Sequence, residues 1–157
     1  MDTCIVSGLA RNDLKEAEFD SLMSLLKKYK DGLIHITTSE VTIAEIKKIP
    51  IQFQTQHNII YNLISNVPTA QKYNTNSGLT LMGCGGGSTK DVLYVALENI
   101  LPDKEDAEHI FQAIKNNATH FLTTDEKTII KFKKDIENLA KISIMTPSQL
   151  INALEFK

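Results

Sequence analysis

The feature that most constrains this chain is the alternation of helical and strand-like patterns along its 157 residues. Apolar residues recur at helical spacing in residues 14–30 and 127–139, which predicts amphipathic helices. Short β-prone runs occupy residues 33–37, 119–123 and 142–145. Helices that alternate with strands are typical of a parallel sheet covered on both faces. We therefore predict a three-layer α/β/α sandwich with a mostly parallel sheet of four or five strands.

Length and composition predict a single domain that spans residues 1–157. Apolar residues make up 42% of the chain, enough for a sizeable core without metal or disulfide staples.

Further helices are predicted at residues 39–49 and 53–64. Gly32 is expected to end the first helix, because glycine readily takes the left-handed conformation. A segment rich in glycine and asparagine, residues 67–90, is predicted to be flexible because such residues favour turns.

The charge balance argues against a chain that binds nucleic acid through an overall positive field. The formal net charge is −2, so contact with nucleic acid requires a local basic patch. Residues 27–30 hold three lysines and form one weak candidate. A stronger cluster of five lysines consists of Lys127, Lys131, Lys133, Lys134 and Lys141.

Cysteine content and hydropathy bear on the cellular compartment. Cys4 and Cys84 are far apart in the sequence and show no metal-binding or disulfide spacing, which suits a reducing cytosol. No apolar run is long enough to span a membrane, and the first residues do not resemble a signal peptide. We therefore expect a cytoplasmic protein without a membrane partner.

Four acidic residues stand where a parallel α/β fold would place a ligand site, beyond the carboxyl ends of its strands. Two carboxylates about 5 Å apart repel by roughly 3 kcal/mol at an effective dielectric of about 20, so a group of four needs a cation or protons. Oxygen ligands favour Mg²⁺ or Mn²⁺, which activate water for phosphate hydrolysis. The four acids are Asp2, Glu45, Asp106 and Asp125.

Each of these acids also has a purely structural interpretation. Asp106 in a first helical turn would favour the helix dipole, and Asp125 would cap the helix that follows it. Asp2 would be an ordinary surface residue. Glu45 shares a partly apolar helix face, so its carboxylate requires a partner, whereas Glu40 is expected to face solvent.

Four short motifs, in order, resemble those of the PIN-domain family. The sequence DTCIVSGL at residues 2–9 is similar to the opening of that family, and TIAEI at residues 42–46 is similar to its second acidic motif. DAEHI at residues 106–110 resembles its third motif, and FLTTD at residues 121–125 resembles its fourth. The resemblance extends from residue 2 to about residue 146.

This resemblance implies a metal-dependent ribonuclease, often the toxin of a toxin–antitoxin pair. It implies that Mg²⁺ or Mn²⁺ is bound by Asp2, Glu45, Asp106 and Asp125. It also implies that the hydroxyl of Thr123 helps to hold the site. RNA is then the substrate, and an antitoxin protein or a second copy of the chain in a homodimer is a further candidate partner.

Two other functions remain open from the sequence. Only Met1 precedes Asp2, and Cys4 stands where the family usually has asparagine; both departures favour a catalytically inactive PIN-like module that binds protein or RNA. The other alternative is nucleotide binding by the glycine-rich loop that ends at Lys90. That loop reads Ser-Thr-Lys, whereas a phosphate loop requires Gly-Lys-Ser/Thr after a strand.

Overall fold

The computed structural model describes most of the chain, and the account below concerns that part. The predicted helix at residues 53–64 lies outside the described residues except for Thr55. The most glycine-rich part of the predicted flexible segment, residues 78–88, lies outside them as well. The described residues are 1–48, 50–52, 55, 67–77 and 89–155.

Helices dominate the described chain and are numbered in chain order. They are α1 (Thr3–Arg11), α2 (Glu16–Lys30), α3 (Glu40–Lys48), α4 (Val92–Ile100), α5 (Lys104–Lys115), α6 (Lys133–Leu139) and α7 (Pro147–Glu155). The predicted helix at residues 127–139 is shorter than expected, because a 3₁₀ turn at Ile130–Phe132 precedes α6. None of the described helices is long and apolar enough to cross a membrane.

The strands are short. They are β1 (Asn76–Ser77), β2 (Thr89–Lys90), β3 (His120–Leu122) and β4 (Ser143–Met145). In the described part of the chain they pair only in twos, β1 with β2 antiparallel and β3 with β4 parallel. The predicted three-layer α/β/α sandwich with a mostly parallel sheet of four or five strands is therefore wrong. The described chain is a helix-rich α/β structure with two small sheets.

Two apolar runs that the sandwich would need as strands are not strands. Residues 4–6 lie within α1, whose first N–H group is capped by the carboxylate of Asp2. Residues 33–37 are irregular and lead to an isolated parallel bridge between Thr38 and Thr69. A β-prone run becomes a strand only where a second strand offers a continuous ladder of backbone groups, and here one bridge replaces the ladder.

The first two residues connect this irregular segment to β3. The nitrogen of Met1 donates to the carbonyl oxygen of Thr37 at 2.9 Å, and the N–H of Asp2 donates to the carbonyl oxygen of Leu122 at 3.1 Å. The backbone of Asp2 is extended, with φ −83° and ψ 156°. Met1 and Asp2 therefore lie between residue 37 and β3, and α1 starts directly after them.

The core is divided between the two faces of β3. Leu122 packs into a cluster with residues of α1, α2 and α7, including Ile5 and Leu22. Phe121 points to the other face and packs with Phe111 of α5 and Ile144 of β4. Because successive strand residues point to opposite faces, the short strand β3 separates α5 from α7. The residues that follow β3 thus lie at the boundary of both clusters, close to Asp2.

Candidate functional site

Thr123, the first residue after β3, joins two of the predicted acids. Its fully buried hydroxyl donates to Asp2 Oδ2 at 2.7 Å and accepts the N–H of Asp125 at 3.0 Å. Asp2 is only 4% exposed, and its Oδ1 accepts the N–H of Thr3 at 2.7 Å. Asp2 is therefore a buried carboxylate at the start of α1, and the interpretation as a surface residue does not describe it.

Asp125 caps the turn after β3. Its carboxylate accepts the N–H groups of Lys127 and Thr128, both at 2.8 Å. Asp106, in the first turn of α5, lies near Asp2 and Asp125, because the charges of both act on its carboxyl group.

The acid Asp106 holds its proton unusually well. Burial is the main cause that raises its pKa to about 6 from an ordinary value of 3.8. The charges of Asp2, Asp103 and Asp125 raise this pKa further, whereas the hydrogen bond from Thr128 lowers it. Because charges act over short distances in a partly buried site, these causes indicate that Asp106 lies in the field of the two neighbouring acids.

Glu45 reaches the same site through His109. The Nε2 atom of His109, a residue that is 2% exposed, lies 3.0 Å from Glu45 Oε2, and its Nδ1 lies 3.2 Å from Ser39 Oγ. Burial by itself would raise the pKa of Glu45, but the hydrogen bond and charge of His109 outweigh it and lower that pKa. The hydroxyl of Thr3 lies 3.4 Å from the same Nε2 atom of His109.

The pKa of His109 is set by burial and by its negative neighbours, which act in opposite directions. Burial acts to lower its pKa, but the hydrogen bond with Glu45 and the charges of Asp2 and Glu45 outweigh burial and raise it. The structure thus joins Asp2, Asp125 and Glu45 by hydrogen bonds through Thr123, Thr3 and His109. It places Asp106 within reach of the charges of Asp2 and Asp125. We call this group the acid network; it consists of Asp2, Glu45, Asp106, Asp125, Thr3, His109, Thr123 and Thr128.

Several of these residues were not singled out from the sequence. Thr3 and Thr128 carry no distinctive pattern, because single threonines are common at helix starts and turns. His109 was interpreted as an ordinary helix residue beside an apolar stripe. The signal that identifies it is its position three residues after Asp106, which places both side chains on one side of α5.

Cys4 is the other residue that the sequence did not assign to the site. Its thiol donates to Asp2 Oδ2 at 3.0 Å and accepts the N–H of Thr124 at 3.2 Å. Burial, followed by the charge of Asp2, raises the pKa of this thiol to about 12. Cys4 is therefore a neutral donor to Asp2 and not a thiolate.

The acid network has the right chemistry for a hard divalent cation but not a finished coordination sphere. Carboxylate oxygens suit Mg²⁺ or Mn²⁺, and the charges of Asp2 and Asp125 add to burial in raising the pKa of Asp106. Within the described residues, however, no three His, Cys, Asp or Glu side chains stand close enough together to hold a metal ion. The described acids, as the structure places them, therefore do not form a metal site.

A cavity of about 460 Å³ borders the acid network beside Asp125 and Cys4. Three basic residues line it, Arg11, Lys15 and Lys127, together with four acidic residues, Asp13, Glu18, Asp125 and Glu126. Two of the cations are paired with acids, Arg11 with Asp13 at 3.3 Å and Lys15 with Glu126 at 3.1 Å. These pairs are exposed and hence weak, but the lining holds more carboxylates than cations and is not a positive patch.

The predicted lysine cluster is only partly directed at this cavity. Lys127 lines it, whereas Lys133 lies 3.8 Å from Glu137 and Lys131 stands over the ring of Phe132.

Comparison of the chain with protein-family models, with curated proteins and with solved structures finds no match. Function must therefore be inferred from the acid network and its surroundings.

Proposed function

We propose that this chain is a PIN-like, metal-dependent ribonuclease that hydrolyses RNA phosphodiester bonds at the acid network. The observation that supports this proposal is the buried hydroxyl of Thr123, which joins the carboxylate of Asp2 to the backbone of Asp125, near Asp106. Acids that are far apart in the sequence are thereby held near one place. Asp2 is buried and the pKa of Asp106 is raised, and perturbed carboxyl groups of this kind are a common feature of functional sites.

Asp2, Asp106 and Asp125 are the residues that would hold Mg²⁺ or Mn²⁺. Such an ion, when bound, lowers the pKa of water and stabilises negative charge at the phosphate. Thr123 fixes the carboxylate of Asp2 and the backbone of Asp125, and it does so without adding charge.

Glu45 has a different role, because His109 already holds it. The pKa of Glu45 is lowered and that of His109 is raised, so the two form an ion pair that joins α3 to α5 within the network.

The cavity beside Asp125 gives the RNA backbone a place to bind. Arg11, Lys15 and Lys127 line it and would contact phosphate groups. Phosphate contacts of this kind depend on salt and carry little sequence information. We therefore propose single-stranded RNA as the substrate, without a defined recognition sequence.

The test is cleavage of single-stranded RNA in the presence of Mg²⁺ or Mn²⁺. Asp106→Asn and Asp125→Asn should each lower kcat by about 100-fold or more, because each removes a charge that the transition state requires. Asp135→Asn, in α6 and outside the acid network, is the matched control and should retain activity. Chelation of the divalent ion should abolish cleavage. Equal activity of the wild type and both network variants would rule out the mechanism.

A catalytically inactive binding module is the second candidate, and one observation favours it. The described acids do not form a ready three-ligand group, and Cys4 already donates to the oxygen of Asp2 that would face an ion. Calorimetric titration with Mn²⁺ separates the two functions. The nuclease requires binding at millimolar concentration or better that Asp125→Asn abolishes, whereas the binding module requires none.

We also propose that this chain is a cytoplasmic toxin whose partner is an antitoxin protein. We further propose that the chain forms a homodimer. Expression of the wild type should stop cell growth, and Asp125→Asn should not. Light scattering of the purified chain measures the oligomeric state directly.

A further inference from the structure

A small cavity lies beside the residues that lead into α3. It has a volume of about 20 Å³, and its lining includes Thr38, Gln112 and Asn116. We call it the Thr38 cavity. One water molecule needs at least about 10–15 Å³ of such space, so the cavity is large enough to hold one.

Thr38 contributes to this lining a buried hydroxyl that has no hydrogen-bond partner among the described residues. Its backbone groups are already paired: the N–H donates to the carbonyl oxygen of Pro68 at 3.1 Å, and the carbonyl oxygen accepts the N–H of Ala70 at 2.8 Å. A buried hydroxyl without a partner is costly, so such groups almost always bond to protein or to an ordered water. The hydroxyl of Thr38 therefore points to a polar ligand in the cavity.

Gln112 of α5 supplies a second group that can bind such a ligand. Its side-chain amide holds the backbone of Tyr73, since Oε1 accepts the N–H at 2.8 Å and Nε2 donates to the carbonyl oxygen at 2.7 Å. An amide nitrogen carries two hydrogens, so one N–H of Gln112 is left for another acceptor. Because Gln112 is only 2% exposed and lines the cavity, an acceptor inside the cavity would satisfy this N–H.

Asn116 stands four residues after Gln112, on the same side of α5. Its Nδ2 donates to the carbonyl oxygens of Gln71 and Gln112, both at 2.8 Å. These two bonds use both amide hydrogens, whereas Oδ1 can still accept a hydrogen bond. The lining thus offers one hydroxyl, one N–H donor and one acceptor oxygen, and about three partners is the usual number for a buried water.

We propose that the Thr38 cavity binds one water molecule, which bonds to the hydroxyl of Thr38, accepts the remaining N–H of Gln112 and donates to Oδ1 of Asn116. The water joins α5 to the segment that leads into α3. Ser39 and His109 also line the cavity, but they already lie 3.2 Å apart and in contact with each other. The site is independent of the proposed ribonuclease chemistry.

Crystal structures of the full chain test the site directly. In the wild type we expect an ordered water whose oxygen lies within about 3.2 Å of Thr38 Oγ1 and of the amide groups of Gln112 and Asn116. Thr38→Ser keeps the hydroxyl and should keep the water, whereas Thr38→Val has a similar shape without the hydroxyl and should lose it. The proposal is overturned if the wild type holds no water there, if the hydroxyl bonds directly to another protein group, or if Thr38→Val retains the water unchanged.

The stability of Thr38→Val provides an independent test in solution. If a water satisfies the hydroxyl, the variant removes a hydrogen bond, and the unfolding equilibrium constant from urea denaturation should rise by about fivefold. If the hydroxyl had no partner in the folded protein, valine would remove a costly buried group and the unfolding constant would fall. An unchanged or lower constant would therefore contradict the proposal.

A double-mutant cycle tests whether one water joins the two segments. Thr38 and Asn116 make no direct hydrogen bond in the described chain, so a shared water is what would couple them. We expect Asn116→Ala to raise the unfolding constant at least about twofold less in the Thr38→Val background than in the wild type. Asn74→Ala, at an exposed position outside the cavity lining, is the matched control and should have the same effect in both backgrounds. Additive effects for both pairs would overturn the proposal.

Discussion

The acid network and a groove between residues 33–37 and residues 118–122 both start at the dipeptide Met1–Asp2. They differ in how completely the chain supplies partners for the groups that line them. In the network, the carboxylate of Asp2 receives hydrogen bonds from Thr3, Cys4 and Thr123. In the groove, largely apolar walls enclose about 540 Å³. The carboxylate of Asp2 therefore has its hydrogen-bond partners within the chain, whereas Met1 borders an open cavity.

The difference follows from the cost of leaving each kind of group without a partner. A buried charge without hydrogen bonds costs several kcal/mol, so the fold must supply donors to Asp2. An apolar wall that faces a cavity forfeits only dispersion contacts, a loss that is spread over many atoms. The chain can therefore leave the groove open and still fold, but it cannot leave Asp2 unpaired.

The largest expected effect concerns the thiol of Cys4, whose pKa of about 12 reflects burial beside Asp2. In a Cys84→Ser background, alkylation of native Cys4 at pH near 8 should be slower than that of an ordinary thiol by about three orders of magnitude, because the thiolate is the reactive form. The rate is measured by mass spectrometry, with denatured protein as the control. Rapid native labelling would show that this part of the network is open to solvent.

The next effect concerns Thr123, the buried donor to Asp2. Thr123→Val should lower the free energy of unfolding by about 1–3 kcal/mol, because it removes one of the two donors to Asp2 Oδ2 and leaves the N–H of Asp125 without a partner. Thr123→Ser keeps the hydroxyl and should recover most of this loss. Urea denaturation measures both. A fully stable valine variant would contradict the view that the network is a closed, interdependent group.

A third effect is the pH dependence contributed by Asp106. Its pKa is raised from 3.8 to about 6 in the folded state, so its contribution to stability is complete below pH 3.8 and is lost as the pH rises through about 6. Relative to Asp106→Asn, the wild type should therefore lose stability between these two pH values. Thermal unfolding of both proteins across that range provides the difference. An identical pH dependence would contradict the burial of Asp106 and the nearby charges that together raise its pKa.

The smallest effect is expected at the groove. Leu33→Ala should change the free energy of unfolding by less than about 0.5 kcal/mol, because the side chain is largely exposed. Leu25→Ala, at a fully buried position in the adjoining core cluster, serves as the contrasting control and should cost about 2–5 kcal/mol. A large loss at Leu33 would show that the groove border is a structural part of the core.

Most local features of the fold could be predicted from the sequence. The helical periodicity of residues 14–30 is confirmed by α2, and Gly32 takes the expected left-handed conformation with φ +72°. The strands expected at residues 119–123 and 142–145 are confirmed as β3 and β4. The helix α1 was missed, because its apolar run is equally compatible with a buried strand.

The sheet could not be predicted, because it depends on partners that are remote in the sequence. The run at residues 33–37 has the composition of a strand, yet what lies beside it is a cavity and the dipeptide Met1–Asp2. Strand propensity describes how well a residue fits a paired, half-buried surface, and the surface itself is supplied by tertiary structure. The prediction of four or five strands assumed such surfaces for each β-prone run.

The sequence by itself determined where most helices lie and which acidic residues are available, since helix periodicity and capping act between residues a few positions apart. Only the tertiary structure decided that Thr123 holds Asp2 from 121 residues away and that His109 pairs with Glu45 across 64 residues. Hydrogen bonds of this kind leave no local pattern, because each partner is an ordinary residue in its own segment. For the same reason, the groove beside Met1 could not be predicted from the sequence. It forms only when the segments that border it are brought together.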